Sequence, residues 1–461
     1  PPLPWQRHTA PAVAETHRAS LGENTTRGST TVFCTVTERR RVQTAYDCIV
    51  VGVGGMGSAT VYRLADRGVD VLGLEQFAVP HARGSSHGST RIVRRTQPED
   101  PAYVPLAEAA LDNWRELEAV TGRDLLTITG SIHAGAPEHD IVADARASLQ
   151  AHDVPYELLD AARVNERFPG YDLPADYSAV YQSDGGFVDC ERAVCAHVDA
   201  AHAAGATVRA HEPVRSWTET TTGVRVETDR GSYEATELVF TAGAWNGELL
   251  PSLADELTPV RRVMAWLQPE RPARFHPDQF PVFSLAGRDG YGYGFPVYDT
   301  PGFKFGREPD DSSTLYEDTT GDSTTDGTNE TGDSTTDGTN ETGDEGIAAA
   351  EWRDVTPDEL DRAVTDREAA FHRTFAETYF PDGAGPTMRL QSCLLTESPD
   401  GHFLLGRHPD YDSVTVAAGF TGHGFKFTSV IGEVLADFVV DGETDHEVDL
   451  HRIERLFDTG V

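Results

Sequence analysis

Hydrophobic positions along the chain follow two periods. Cys48 to Val51 and Val69 to Leu74 are apolar runs of strand length, and the helical pattern between them starts at about Gly57, which makes a βαβ unit. From Tyr103 to Thr121, Leu106, Ala110, Leu111, Trp114 and Leu117 fall on one helical face, with Gly122 as the stop. Thr356 and Pro357 form a suitable N-cap and N1 pair for a further helix. Leu238 to Phe240 and Val414 to Ala418 read as strands, and the segment after Gly424 reads as a helix to about Phe438. Alternating strands and helices predict an α/β fold with a doubly wound core. A chain of 461 residues exceeds what one hydrophobic core usually supports, so two domains or a discontinuous pair are expected.

Two stretches break the pattern. Residues 1–44 carry six Arg, three Glu and no Asp, and read as a disordered tail or as sequence upstream of the true start. Between Asp310 and Gly346 there are twelve acidic residues, no basic ones, and an eleven-residue repeat from Gly321 that recurs from Gly332. Such a segment buries too little apolar surface to offset its ordering entropy, which predicts a solvated, disordered insert.

The net charge of −37 fits either an acidic interaction surface or a surface adapted to molar salt. Acidic residues are spread along nearly the whole chain, which favours the halophilic reading, since at about 1 M salt the Debye length is only roughly 3 Å. The same charge argues against nucleic acid or an anionic membrane as partner. No apolar run approaches the roughly 18 residues of a membrane span. Five cysteines form neither a CxxC pair nor a metal spacing, so no metal site is expected and a reducing cytoplasm fits best. Arg39-Arg40-Arg41 hints at a twin-arginine signal, but the apolar run that follows it reads as a core strand.

Lysine usage points to chemistry. There are 36 arginines and only two lysines, Lys304 and Lys426, each in a short Gly/Phe-rich stretch. A position that resists replacement by arginine needs a compact ammonium, which a planar guanidinium does not imitate. The second signal is Gly52-Val-Gly54-Gly-Met-Gly57, which follows a strand and opens a helix, with Glu75 eighteen residues beyond Gly57 at the end of the next strand. In that context the glycines admit a pyrophosphate to the helix N-terminus, and Glu75 can accept hydrogen bonds from ribose hydroxyls. The motif does not separate NAD from FAD.

Four stretches together are more specific: Gly84-Ser-Ser-His-Gly-Ser-Thr-Arg-Ile-Val-Arg94, Tyr293-Gly-Phe-Pro296 with Lys304 eleven residues after the Tyr, Cys393, and Ala418-Gly-Phe-Thr-Gly-His-Gly-Phe-Lys426. In this order they resemble the monomeric sarcosine oxidase and N-methyltryptophan oxidase family, amine-oxidising flavoproteins of the D-amino-acid-oxidase type. The similarity runs from about Tyr46 to Val448 apart from the acidic insert. The resemblance implies a discontinuous FAD-binding domain (45–126, 187–257 and 388–461) and a sheet-based substrate domain (127–186 and 258–387) that carries the insert at 310–346.

It also implies roles. Cys393 would carry FAD covalently through the flavin 8α-methyl. Arg94 and Lys426 would clamp the substrate carboxylate, the guanidinium offering two parallel donors and the ammonium a point charge. Lys304 would stabilise negative charge developing on O2; two charges about 4 Å apart at an effective dielectric of 20 interact by roughly 4 kcal/mol, about a thousandfold in rate. Arg91 and His87 would line the other side of the flavin, with Tyr293 near the substrate. Gly422-His423-Gly424 would lead into a helix whose N-terminus faces the flavin, and Thr241-Ala-Gly-Ala-Trp-Asn246 would form a second cofactor-facing turn.

Three positions depart from the family pattern. Glu308 stands where His is usual, Leu395 replaces a Tyr, and Ser284 replaces a Met. These changes bear on which N-substituent or side chain fits. The expected activity is oxidation of the C–N bond of a secondary amino acid to an imine, with O2 reduced to H2O2 by a monomeric cytoplasmic enzyme. Alternatives are a dehydrogenase that passes electrons to a quinone or electron-transfer protein, and a flavin-binding subunit without turnover.

Overall fold

The structure, a computed structural model, describes residues 44–299, 302–308 and 355–457. The expected N-terminal tail, except Thr44, and the acidic insert with its repeat lie outside the described residues.

The strand Ala45–Val51 is the centre of the first sheet. It pairs in parallel with Val71–Leu74 on one side and with Gly231–Phe240 on the other. Both faces of a parallel strand must be covered, and its side chains divide accordingly. Cys48 and Val50 pack among helices Gly55–Asp66, Tyr103–Thr121, Cys190–Ala203 and Thr428–Val440, while Ile49 and Val51 pack with Leu72, Leu238, Phe240 and Val416. Thr207–Arg209 extends the sheet beyond Val71–Leu74. Val414–Ala418 runs parallel to the end of Gly231–Phe240, with Leu404–Arg407 antiparallel to it. The four helices thus cover one face of a Rossmann-like parallel core, and the other face is closed by residues of the strands Gly223–Thr228 and Gly231–Phe240 and of the 3₁₀ turns Pro251–Leu253 and Ile453–Leu456, where the apolar pattern predicts a doubly wound sheet with helices on both sides.

A second sheet of eight strands has the order Thr387–Glu397, Thr258–Leu267, Phe303–Arg307, Gly290–Phe295, Val282–Gly287, Ser131–Gly135, Ser178–Gln182 and Glu157–Asp160. Thr387–Glu397 pairs with Thr258–Leu267 along its length, so the segment that begins at 388 starts in the second sheet and enters the first only at Leu404. Alternation across this sheet has a clear chemical sense. Ile132, Ala134, Ala265, Leu267, Phe283, Leu285, Phe303 and Phe305 enter an aromatic core with Phe275, Phe280, Phe375 and Phe380. The interleaved residues on the opposite face include His133, Ser284, Lys304 and Cys393. A third, three-stranded sheet joins Thr90–Val93, Gly186–Asp189 and Leu126–Ile128.

Two helix starts differ from the sequence reading. Thr356-Pro357 does not open a helix; the Thr356 carbonyl accepts from the Glu359 N–H in a single turn, and Asp358 is engaged by the Trp245 indole. The helix is Asp366–Tyr379, opened by a capping box in which Thr365 and Glu368 satisfy one another's backbone N–H groups. After His423 the chain first forms a 3₁₀ turn, Gly424–Phe427, and the α-helix begins at Thr428. The Trp114 indole donates to the Lys426 carbonyl at 2.9 Å, holding that turn against the helix Tyr103–Thr121.

Candidate active site

A cavity of about 230 Å³ opens at the carboxyl ends of the central parallel strands. Its floor is the turn from Gly52 to Met56. Gly52 has φ +90°, and a Cβ there would lie 2.7 Å from the Thr241 carbonyl oxygen. A Cβ on Gly57 would lie 1.8 Å from the Gly52 carbonyl, so only glycine lets the helix start this close to the strand. Gly54, by contrast, has only the Ser86 hydroxyl at 3.6 Å from such a Cβ, which leaves its backbone open to the cavity. Glu75 fixes the turn: one carboxylate oxygen accepts from Val53 N and the other from Phe77 N, each at 2.9 Å. The opposite wall is the turn after Phe240, where Thr241 Oγ1 donates to the Gly52 carbonyl at 2.7 Å and Asn246 accepts from Ala242 N at 3.0 Å. A long cleft with bare glycine backbone at a helix start and an acidic side chain beside it fits the pyrophosphate and ribose of FAD.

Ser85, Ser86 and Arg91 line the other end of the cavity with Leu395, Thr421 and Gly422. Arg91 is pinned to its own turn, donating to the Thr90 carbonyl at 2.9 Å and to the Ser85 carbonyl. Lys304 lies behind that turn. Its ammonium donates to the Gly88 and Thr90 carbonyls, each at 2.7 Å, and to Thr90 Oγ1 at 3.1 Å, with the Phe295 ring 4.4 Å away. Three acceptors around one nitrogen match the three protons of an ammonium and exclude a planar guanidinium. Burial, aided by Arg91, depresses the Lys304 pKa well below the usual value. His87 Nδ1 accepts from Gln391 Nε2 at 2.9 Å; burial and then Arg91 bring its pKa down to about 3, so the ring is neutral. The Cys393 thiol is buried beside Met264, Trp266 and Leu395, 3.9 Å from the Ser85 carbonyl. Burial raises its pKa, against the pull of Arg91 and Lys304.

The two cations expected to grip a carboxylate do converge on one, and it belongs to the protein. Arg94 Nη2 donates to Glu99 Oε1 at 2.6 Å, and Lys426 Nζ lies 3.7 Å from the same oxygen. Burial alone would raise the Glu99 pKa, but Arg94 and Lys426 overcome it and hold the carboxyl well below its ordinary range. Lys426 is brought down to about 7, chiefly by burial, with Glu99 opposing. Arg94 Nη1 donates to Ser284 Oγ at 2.9 Å and sits against His133 Nε2. Tyr293, on the strand Gly290–Phe295, is half-buried near Arg91, and burial of its phenol pushes the pKa up. His423 Nε2 donates to the Gly401 carbonyl at 3.3 Å, and burial takes its pKa to about 3.

Residues 47–438 match the family described as FAD dependent oxidoreductase. The chain belongs to that family. It is 37% identical over 414 residues to a monomeric sarcosine oxidase of Streptomyces avermitilis, covering 89% of this chain and 98% of that one. It is 31% identical over 413 residues to an N-methyl-L-tryptophan oxidase of Yersinia pestis, covering 89% and 99%. Among solved structures it is similar to NikD, an amino acid oxidase of nikkomycin biosynthesis, with a TM-score of 0.70 at 24% identity, covering 88% of this chain and 96% of NikD. It is also similar to L-proline dehydrogenase from P. horikoshii, with a TM-score of 0.71 at 18% identity, covering 91% and 100%. At these identities the structural likenesses speak to the fold alone.

Within this FAD-dependent family the site has individual features. Leu395 lines the cavity next to Gly422, and Ser284 bonds the Arg94 guanidinium. Glu308 pairs with Arg262 at 3.7 Å, and Arg262 also reaches Glu397 at 2.9 Å. Sequence reasoning missed Glu99, His133 and Gln391. Glu99 lies in an aperiodic loop five residues after Arg94, and His133 and Gln391 occupy strand positions whose facing partners come from remote segments. Among the described residues no helix is long and apolar enough to cross a membrane.

Lys426 must be cationic to hold a carboxylate, and a ligand that favours the protonated form binds best below the free-site pKa. Acetate should bind the flavin-loaded protein with nearly constant affinity below pH 7 as long as it stays ionised, and the affinity should fall by up to about tenfold per pH unit above pH 7. Lys426→Gln should weaken binding and remove that step. A step unchanged in the variant would assign it to another group.

Proposed function

We infer that this FAD-dependent oxidoreductase is an oxidase of secondary amino acids of the sarcosine and N-methyl amino acid type. The observation that carries the reading is the meeting of Arg94 and Lys426 on one carboxylate oxygen beside the FAD-fitting cleft. Two fixed cations of this kind suit the carboxylate of an amino acid, which takes the place that Glu99 holds between them. Proximity of this sort converts a bimolecular encounter into an oriented one.

Bound in the cleft, FAD supplies the hydride acceptor and the route of electrons to O2. The protein's part is binding, orientation and charge. Arg94 and Lys426 fix the carboxylate end; Tyr293 and Leu395 wall the N-substituent; Arg91 and Lys304 add buried positive charge behind the Ser85–Arg91 turn. Water then hydrolyses the imine, so that sarcosine, O2 and H2O yield glycine, formaldehyde and H2O2. Covalent attachment at Cys393 belongs to the same reading. Joining the thiol to the 8α-methyl removes two hydrogens with their two electrons, and O2 accepts them. The broad acidity supports a protein adapted to molar salt. The same reading takes it as a cytoplasmic monomer with segments 45–126, 187–257 and 388–461 on the FAD side, the last of them from Leu404 onward.

A dehydrogenase that passes electrons to a quinone or electron-transfer protein is the second reading, and O2 separates the two. Anaerobic mixing with sarcosine, N-methyltryptophan and cyclic imino acids should bleach the flavin with at least one of them, and air should restore the colour with one H2O2 per turnover. Bleaching that air restores only over minutes would favour the dehydrogenase; no bleaching by any secondary amino acid would end the reading.

Acid-precipitated protein should keep its yellow colour, and Cys393→Ser should release the flavin into the supernatant. Wild-type flavin found wholly in the supernatant would refute the attachment.

A further inference from the structure

We propose that Ser284 is a positioning residue for the substrate carboxylate, because it ties one terminal nitrogen of Arg94 to the second sheet and leaves the other to meet the ligand. The proposal rests on the amino-acid oxidase reading and concerns how that site holds its ligand. Arg94 Nη1 donates to Ser284 Oγ at 2.9 Å and lies against His133 Nε2, whereas Nη2 donates to Glu99 Oε1 at 2.6 Å. Ser284 and His133 are register partners on the parallel strands Val282–Gly287 and Ser131–Gly135. Their neighbours Phe283, Leu285, Ile132 and Ala134 are locked into the aromatic core on the other face, so neither strand position is free to shift. Tyr291, on the next strand, is hydrogen-bonded to Ser284. The serine hydroxyl therefore accepts from Arg94 and has its one proton directed to Tyr291.

The consequence is geometric. A guanidinium usually meets a carboxylate with two parallel donors, which is what the sequence suggests for Arg94. With Nη1 committed to the sheet, the Nη1–Nη2 fork is closed and the carboxylate meets the Nη2 edge of the guanidinium with Lys426 Nζ beside it, the two points that Glu99 Oε1 already meets at 2.6 and 3.7 Å. The ligand is thereby placed by a fixed strand pair and not by a free side-chain fork. A Met at 284, the residue that the resemblance leads one to expect, offers no comparable acceptor and would leave Nη1 with His133 alone.

The test uses the flavin-loaded full chain with acetate as an inert carboxylate, its dissociation constant read from the flavin spectrum and by calorimetry, and with sarcosine in anaerobic stopped flow. Ser284→Ala and Ser284→Met should weaken acetate binding about tenfold or more, as expected for losing a hydrogen bond from a charged donor. The sarcosine concentration for half-maximal flavin reduction should rise by a similar factor, while the limiting reduction rate moves less than about threefold. Ser284→Thr, which keeps the hydroxyl, should restore affinity. Unchanged acetate binding in the Ala variant overturns the proposal. So does a parallel fall of affinity and limiting rate that Thr fails to rescue, since that marks a merely structural serine. If wild type binds acetate but no secondary amino acid reduces its flavin, the oxidase reading fails while the acetate arm still decides the role of Ser284.

Discussion

The period-two alternation of the eight-stranded sheet is the constraint on which the site depends. One face must be apolar because it packs into the aromatic core around Phe280, Phe303 and Phe380. Every second residue is thereby delivered to the other face at a fixed height and spacing. His133, Ser284, Lys304 and Cys393 arrive there from four different strands, and a one-residue slip in any of them would bury a polar group among phenyl rings. The rigidity of these positions is supplied by the apolar residues that alternate with them. The first sheet does the complementary task, bringing Gly52, Glu75 and Thr241 to the carboxyl ends of three adjacent strands where a dinucleotide fits.

Charge closes the arrangement. Arg91, Arg94, Lys304 and Lys426 are all largely buried near one another, and positive charges at such depth need partners. Lys304 finds carbonyls and a hydroxyl, Arg91 finds carbonyls, and Arg94 and Lys426 share Glu99. The Glu99 carboxylate thus neutralises Arg94 and Lys426. In the proposed function a ligand carboxylate takes over that role from Glu99. The same logic explains both lysines. At Lys304 three acceptors crowd one nitrogen, and at Lys426 the nitrogen sits near Glu99 and over the Phe427 ring at 5.0 Å.

Much of this was legible in the sequence. The strand-glycine-helix turn with Glu75, the strand Val414–Ala418 and the helix Tyr103–Thr121 each carry a local signal that depends only on neighbours in the chain. The paired lysines were legible because the rest of the composition avoids that residue. What escaped depends on partners far apart. Ser284 reaches Arg94 across 190 positions, and nothing local marks it as a partner. Glu99 looks like one surface acid among many in a chain with 75 acidic residues, until folding buries its carboxylate between two cations. The false helix start at Thr356-Pro357 has a different cause. Its local capping chemistry is sound, but tertiary bonds to Trp245 draw Asp358 away, and the stronger capping box at Thr365 takes over.

The central claim is that a substrate carboxylate takes the place of Glu99 between Arg94 and Lys426. It is tested most directly by the dissociation constant of acetate for wild type and Glu99→Gln, measured at pH 6 where Lys426 is cationic. Removing the internal competitor while keeping its shape should tighten acetate binding by about tenfold or more. Equal or weaker binding in Glu99→Gln, with the protein folded and flavin bound, would contradict the account.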